Sequence, residues 1–98
     1  MSDAAGDAPG ALKRTLPIGN KRGLHARAAA KFVRTAGQFD AAVRVSFKGQ
    51  EVSGLSIMGL MMLAAGIGSS IDLTCSGRQA AEALDALATL VEGKFGEE

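Results

Sequence analysis

The sequence predicts an α+β domain: a two-layer open-faced sandwich in the order β-α-β-β-α-β-α, with three helices on one face of a four-stranded antiparallel sheet. Three observations predict it. Apolar residues recur at helical three-and-four spacing from Ala26 to Ala36 and from about Arg78 to Gly93. Apolar and polar residues alternate from Ala42 to Phe47 and from Ile71 to Ser76, as in strands with one covered face. Lys48-Gly49-Gln50 turns between Ala42–Phe47 and Glu51-Val52-Ser53, which reads as a hairpin of two antiparallel strands.

The elements follow in order. Residues 1–12 are rich in Ala, Gly, Asp and Pro without periodicity and are expected to form a flexible N-terminal tail, with the domain occupying residues 13–98. Thr15 to Gly19 reads as a first strand with Leu16 and Ile18 on one face, and Pro17 suits an edge position. Asn20 to Gly23 is a loop. The helix that follows places Ala26, Ala29, Ala30, Val33 and Ala36 on one face and stops at Gly37. Val43, Val45 and Phe47 mark the second strand, Lys48-Gly49-Gln50 a turn and Glu51-Val52-Ser53 the third. Ser56 can cap a short helix over IMGLMML, and residues 64–70 form a Gly-rich exit. Ile71, Leu73 and Cys75 define the fourth strand, and Leu84, Leu87, Ala88 and Val91 the buried stripe of the last helix.

At 98 residues, 47% hydrophobic and 21% charged, the chain can bury one small core and is not of disordered composition. A net charge of +1 gives no overall field for nucleic acid or anionic membranes, so any partner must be read from a local site. The single cysteine, Cys75, cannot form an intramolecular disulfide and reads as a buried, inert thiol, and the start MSDAAGDAPGALKR lacks a secretory apolar stretch. A cytoplasmic protein is expected. The apolar run from Ile57 to Ile67 is too short to span a bilayer.

Gly23-Leu24-His25-Ala26-Arg27 places the only histidine where the first helix begins. The first N–H groups of a helix have no partner within it, and the helix dipole adds positive potential there, so this junction favours an anion such as phosphate. Arg27 adds a permanent guanidinium. The same field disfavours positive charge on the ring, which leaves a neutral imidazole nitrogen able to attack phosphorus. Gly23 permits an unusual backbone angle or close approach, and Ala26 and Ala28 are expected to leave the first turn open to a partner.

GLHARAAAKFV resembles the active-site signature of the HPr family, phosphocarriers of the phosphoenolpyruvate-dependent phosphotransferase system, and the resemblance runs over roughly residues 13–95. It implies that His25 is phosphorylated, usually on Nδ1, that Arg27 stabilises the phosphate, and that the N–H groups of Ala26 and Arg27 hold it. Ala28 departs from the proline many members carry there. Gly54-Leu55-Ser56-Ile57-Met58-Gly59 resembles the second signature, whose serine is phosphorylated in regulated members by a dedicated HPr kinase/phosphorylase; here that is Ser56, with Leu55 in place of a frequent basic residue.

The resemblance further implies a protein carrier rather than an enzyme. It would take phosphoryl from an Enzyme I-like donor and pass it to an Enzyme IIA-like acceptor, as a monomer without cofactor or metal. The expected docking patch is Ile57, Met58 and Met61 with Lys31 and Arg34 on its rim, while Lys21 and Arg22 are read as a solvated loop able to tune which acidic surfaces dock. Asn20-Lys21-Arg22-Gly23 and the ending Gly96-Glu97-Glu98 resemble nitrogen-related members, and SIMGLMML resembles sugar-transport members. Two competing readings are weaker. A purely regulatory binding module would not need His25 beside Arg27, and a nucleic-acid-binding sandwich would show stacking aromatics, whereas this chain has no Trp or Tyr.

Overall fold

The computed structural model describes residues 10–97, so the expected tail lies, up to residue 9, outside the described residues. Strands β1 (Leu12–Pro17), β2 (Ala42–Phe47), β3 (Gln50–Ser53) and β4 (Ser70–Ser76) form one antiparallel sheet in the order β1-β4-β2-β3. Helices α1 (Ala26–Ala36), α2 (Ile57–Met62) and α3 (Ala80–Glu92) accompany it. The expected architecture is therefore the one observed.

The register explains which face is covered. Leu16 stands opposite Ile71, Val45 opposite Leu73 and Val43 opposite Cys75, and residues directly opposite share a face. These six side chains are buried. Lys13, Thr15, Asp72, Arg44 and Ser46 alternate with them and point the other way, and the Thr15 hydroxyl donates to the Asp72 carboxylate at 2.6 Å. The open face is thus polar and carries no aromatic platform. In the hairpin, Lys48 and Gly49 both have positive φ (51° and 83°), the two-residue turn whose twist matches the strands it joins.

Several sequence expectations are corrected. The first strand runs from Leu12 to Pro17 rather than from Thr15 to Gly19. The cause is ladder length: β4 offers partners as far as Cys75, which pairs with Leu12, while Pro17 ends the strand at the sheet edge where its missing N–H is not needed. Ile18 is still buried, held outside the ladder by exchange of backbone hydrogen bonds with Ser69 and Gly68.

The buried stripe of α1 is Ala28, Ala29, Phe32 and Ala36, rotated from the expected one, so Ala26 is exposed and Val33 half-buried. Phe32 decides this rotation, since burying one phenyl ring contributes about 2–3 kcal/mol, more than any alanine facing the core. Ala28, expected to leave the first turn open, is fully buried. In α3, which begins at Ala80, Ala83 takes the place expected of Leu84, which is only half-buried.

After α3 the chain makes a tight 3-10 turn over Lys94–Gly96 that periodicity does not announce. Lys94, Phe95 and Gly96 all have positive φ (58°, 56° and 75°). Left-handed backbone costs about 1–2 kcal/mol for each of the two non-glycine residues. Full burial of Phe95 and the bond from Lys31 Nζ to the Phe95 carbonyl oxygen, at 2.7 Å, offset that cost. The turn aims the next residue, Glu97, back at the start of α1.

Candidate functional site

His25 is the N-cap residue of α1, with extended backbone (φ −75°, ψ 178°) and a side chain that makes no capping hydrogen bond. The first bond along the helix runs from the Ala29 N–H to the His25 carbonyl oxygen at 2.8 Å. The N–H groups of Ala26, Arg27 and Ala28 precede it and have no carbonyl of the helix to donate to. An uncapped helix start therefore adjoins the imidazole, and α1 has no acidic residue in its first turn to compete with an anion.

The loop before His25 is fixed by backbone contact. Gly23 has φ +62°, and its N–H donates to the Asn20 carbonyl oxygen at 3.2 Å. Leu24 is buried and its N–H donates to Ala65 at 3.0 Å, which anchors the loop on the segment leaving α2. The expected need for glycine before the histidine is met in both senses, by the positive φ and by the close approach to Ala65. Asn20 is fully buried, and its Nδ2 donates to the Gly23 carbonyl oxygen at 2.9 Å and to Glu97 Oε1 at 3.1 Å.

The other Glu97 oxygen, Oε2, lies 2.6 Å from His25 Nε2. A carboxylate can only accept, so the ring hydrogen in this contact is on Nε2. His25 is consequently not the exposed side chain expected of a helix end: its side chain is 15% accessible, because Glu97 covers one edge. Hydrogen bonds from His25 and then Asn20 hold the Glu97 carboxyl below the usual glutamate range, outweighing the opposing effect of burial; the charges of His25 and Lys31 add to the lowering.

A pocket of about 310 Å³ is lined by Lys21, Arg22, Arg27 and Glu97, and Glu97 links it to the His25 ring. Arg27 is exposed, as are Lys21 and Arg22, and all three are brought to one concavity. Lys21 and Arg22, expected as solvated loop residues, line the same space as Arg27. Glu97 and Asn20 join the site without any local signal in the sequence. The left-handed turn at Lys94–Gly96 is what brings Glu97 to His25.

Lys31 is half-buried and its ammonium donates to the Phe95 carbonyl oxygen, whereas Arg34 is exposed in the last turn of α1. Ser56 is the N-cap of α2, and its Oγ accepts the Gly59 N–H at 2.9 Å. Ile57, Met58 and Met61 are exposed, and the apolar patch they form extends to Leu55 and Met62. Burial pushes the Cys75 thiol up to about 11. Among the described residues no group of His, Cys, Asp and Glu could hold a metal ion, and no helix is long and apolar enough to cross a membrane.

The family described as PTS-HPr, the HPr component phosphorylation site of the phosphotransferase system, matches residues 12–93. The phosphocarrier protein HPr of Cupriavidus necator is 51% identical over 86 residues, covering 88% of this chain and 97% of that protein. The phosphocarrier protein NPr of Shewanella violacea is 44% identical over 86 residues, covering 88% and 94%. Among solved structures, HPr-C-His from Thermoanaerobacter tengcongensis superposes with a TM-score of 0.85 at 44% identity, covering 89% of this chain and 98% of that one.

Proposed function

The chain belongs to the HPr family and is a phosphocarrier of the phosphotransferase system, and from that premise we propose that His25 is the residue that carries the phosphoryl group. One observation carries this reading: the imidazole stands at the uncapped start of α1, where the N–H groups of Ala26, Arg27 and Ala28 lack helical partners. With Nε2 engaged by Glu97, Nδ1 is the nitrogen left to act as nucleophile. The guanidinium of Arg27 and the adjoining N–H groups stabilise the phosphoryl oxygens, and Lys21 and Arg22 enlarge the positive field of the pocket.

The partners that follow are an Enzyme I-like donor and an Enzyme IIA-like acceptor in the cytoplasm, with the protein acting as a monomeric carrier and not as an enzyme. The exposed Ile57, Met58 and Met61 form the centre of the docking surface, and Arg34 its polar rim. Flexible methionines suit a carrier that must fit more than one partner. Ser56, two residues from Met58, is the regulatory position: a phosphate there, added by an HPr kinase/phosphorylase, would set about two negative charges against an acidic partner.

The test is incubation of the full chain with phosphoenolpyruvate and an Enzyme I, followed by mass spectrometry and phosphorus NMR. An acid-labile phosphohistidine at His25, absent in His25→Ala, is the expected result. An unlabelled wild-type protein in the presence of a competent donor, or persistent labelling of the variant, would overturn the assignment.

A further inference from the structure

We propose that Glu97, held in place by Asn20, is a positioning residue for His25: its carboxylate keeps the ring hydrogen on Nε2 so that Nδ1 presents its lone pair, and it balances the positive charge of the phosphorylated ring. The inference rests on His25 being the phosphoryl acceptor and adds a residue on which that chemistry depends.

Three observations carry it. Both carboxylate oxygens of Glu97 are engaged, Oε2 by His25 Nε2 at 2.6 Å and Oε1 by the amide of the fully buried Asn20 at 3.1 Å, so the group is oriented from two sides. Asn20 in turn holds the Gly23 carbonyl, two residues before His25, and couples the carboxylate to the loop that sets the ring. The chain reaches this position through left-handed backbone at Lys94, Phe95 and Gly96, anchored by buried Phe95 and by Lys31. An ion pair between unrestrained surface side chains would need none of this support.

Charge gives the second half of the argument. Lys21, Arg22 and Arg27 line the pocket that Glu97 also lines, and the start of α1 adds its own positive potential. All of these suit a phosphoryl group and oppose a cationic imidazole. In the transfer, the Nδ1 lone pair forms the bond to phosphorus while the bond from phosphorus to the donor breaks and the donor leaves with that electron pair. The ring keeps its Nε2 hydrogen and becomes a phosphoimidazolium, with no proton released. Among the described residues Glu97 is the acidic group of the pocket lining, and it accepts from the atom that shares the new positive charge.

The experiment uses the full chain with nitrogen-15-labelled histidine. In wild type under alkaline conditions, ring nitrogen shifts should report hydrogen at Nε2. Glu97→Ala should yield a mixture of tautomers, an approximately tenfold slower labelling by phosphorylated Enzyme I and a shorter phosphohistidine lifetime. Glu97→Gln retains an acceptor oxygen without charge, so it should keep the tautomer while the lifetime stays short. Wild-type tautomer and lifetime in Glu97→Ala, or a wild-type lifetime in Glu97→Gln, would overturn the proposal. Failure of wild type to label would instead remove His25 as acceptor, a different result from an unchanged tautomer.

Discussion

Gly23 lies against the backbone of Ala65 so closely that a Cβ built on it would stand 2.4 Å from the Ala65 carbonyl oxygen and 2.8 Å from Gly66 Cα. The same carbonyl accepts the Leu24 N–H, so the two segments cannot separate without losing that bond. Gly23→Ala therefore combines left-handed strain with a clash against backbone, and should lower stability by about 2–4 kcal/mol. Urea unfolding measures this, and a midpoint equal to that of wild type would show that the loop yields freely. A destabilised but folded variant should also label more slowly, because His25 is carried on the displaced loop.

The elements with strong periodicity were legible in the sequence. The β2–β3 turn at Lys48-Gly49 and the Ser56 cap follow from local chemistry, and each appears where residue type places it. Two things were not legible. The rotation of α1 depends on Phe32 packing into the core beside Gly54, a tertiary choice that alanine-rich spacing does not encode. Glu97 joins the site across 72 residues of chain, through left-handed backbone at Lys94 and Phe95, residue types that give no local signal for it. What could have drawn attention to the turn is Phe95, a large apolar residue three positions beyond a helix end and in need of burial.

The Glu97 contact should respond to acid in a definite direction. Its carboxyl is held below the usual glutamate range chiefly by the bond from His25 and next by that from Asn20. A group whose folded value is lowered contributes fully above its unfolded value, and the contribution is lost as pH falls through the lowered folded value. The carbon-13 shift of the Glu97 carboxyl should therefore titrate below the ordinary range, and Asn20→Ala should move its midpoint upward. An ordinary midpoint in wild type would mean that the carboxylate is not held.

Cys75 lies in β4, fully buried between Leu12 of β1 and Val43 of β2. With its thiol pushed up to about 11 by burial, almost no thiolate exists at pH 8, and access is closed as well. A disulfide-exchange reagent should react with the unfolded chain at least about a hundredfold faster than with the native protein, since native reaction must await unfolding. Rapid modification of native protein would mean that β1 opens from β4 more readily than this packing implies.

Met58 separates docking from folding. The residue is 66% accessible, so Met58→Asp should change stability by no more than about 0.5 kcal/mol. If the residue lies at the centre of the docking surface, the same charge should slow phosphoryl transfer from Enzyme I by about fivefold or more at limiting donor. Transfer rates should converge as the donor approaches saturation, because His25 and its pocket are unchanged. A rate like that of wild type at every donor concentration would move the contact surface away from Met58.

Ser56 tests whether capping and regulation can be pulled apart. Its Oγ accepts the Gly59 N–H at 2.9 Å, and Ser56→Ala should cost about 1 kcal/mol of stability through loss of that cap, with labelling of His25 unaffected. Aspartate also caps helices, and its charge is favourable at a helix start, so Ser56→Asp should retain most of the stability. Its negative charge nonetheless borders the exposed Leu55, Ile57 and Met58, where a partner that complements the cations around His25 brings its own acidic groups. The stable variant should therefore be the slow one and the less stable variant the fast one. Because the two readouts move in opposite directions, a shared structural defect cannot produce both, and equal transfer rates for Ser56→Asp and wild type would leave Ser56 as a helix cap alone.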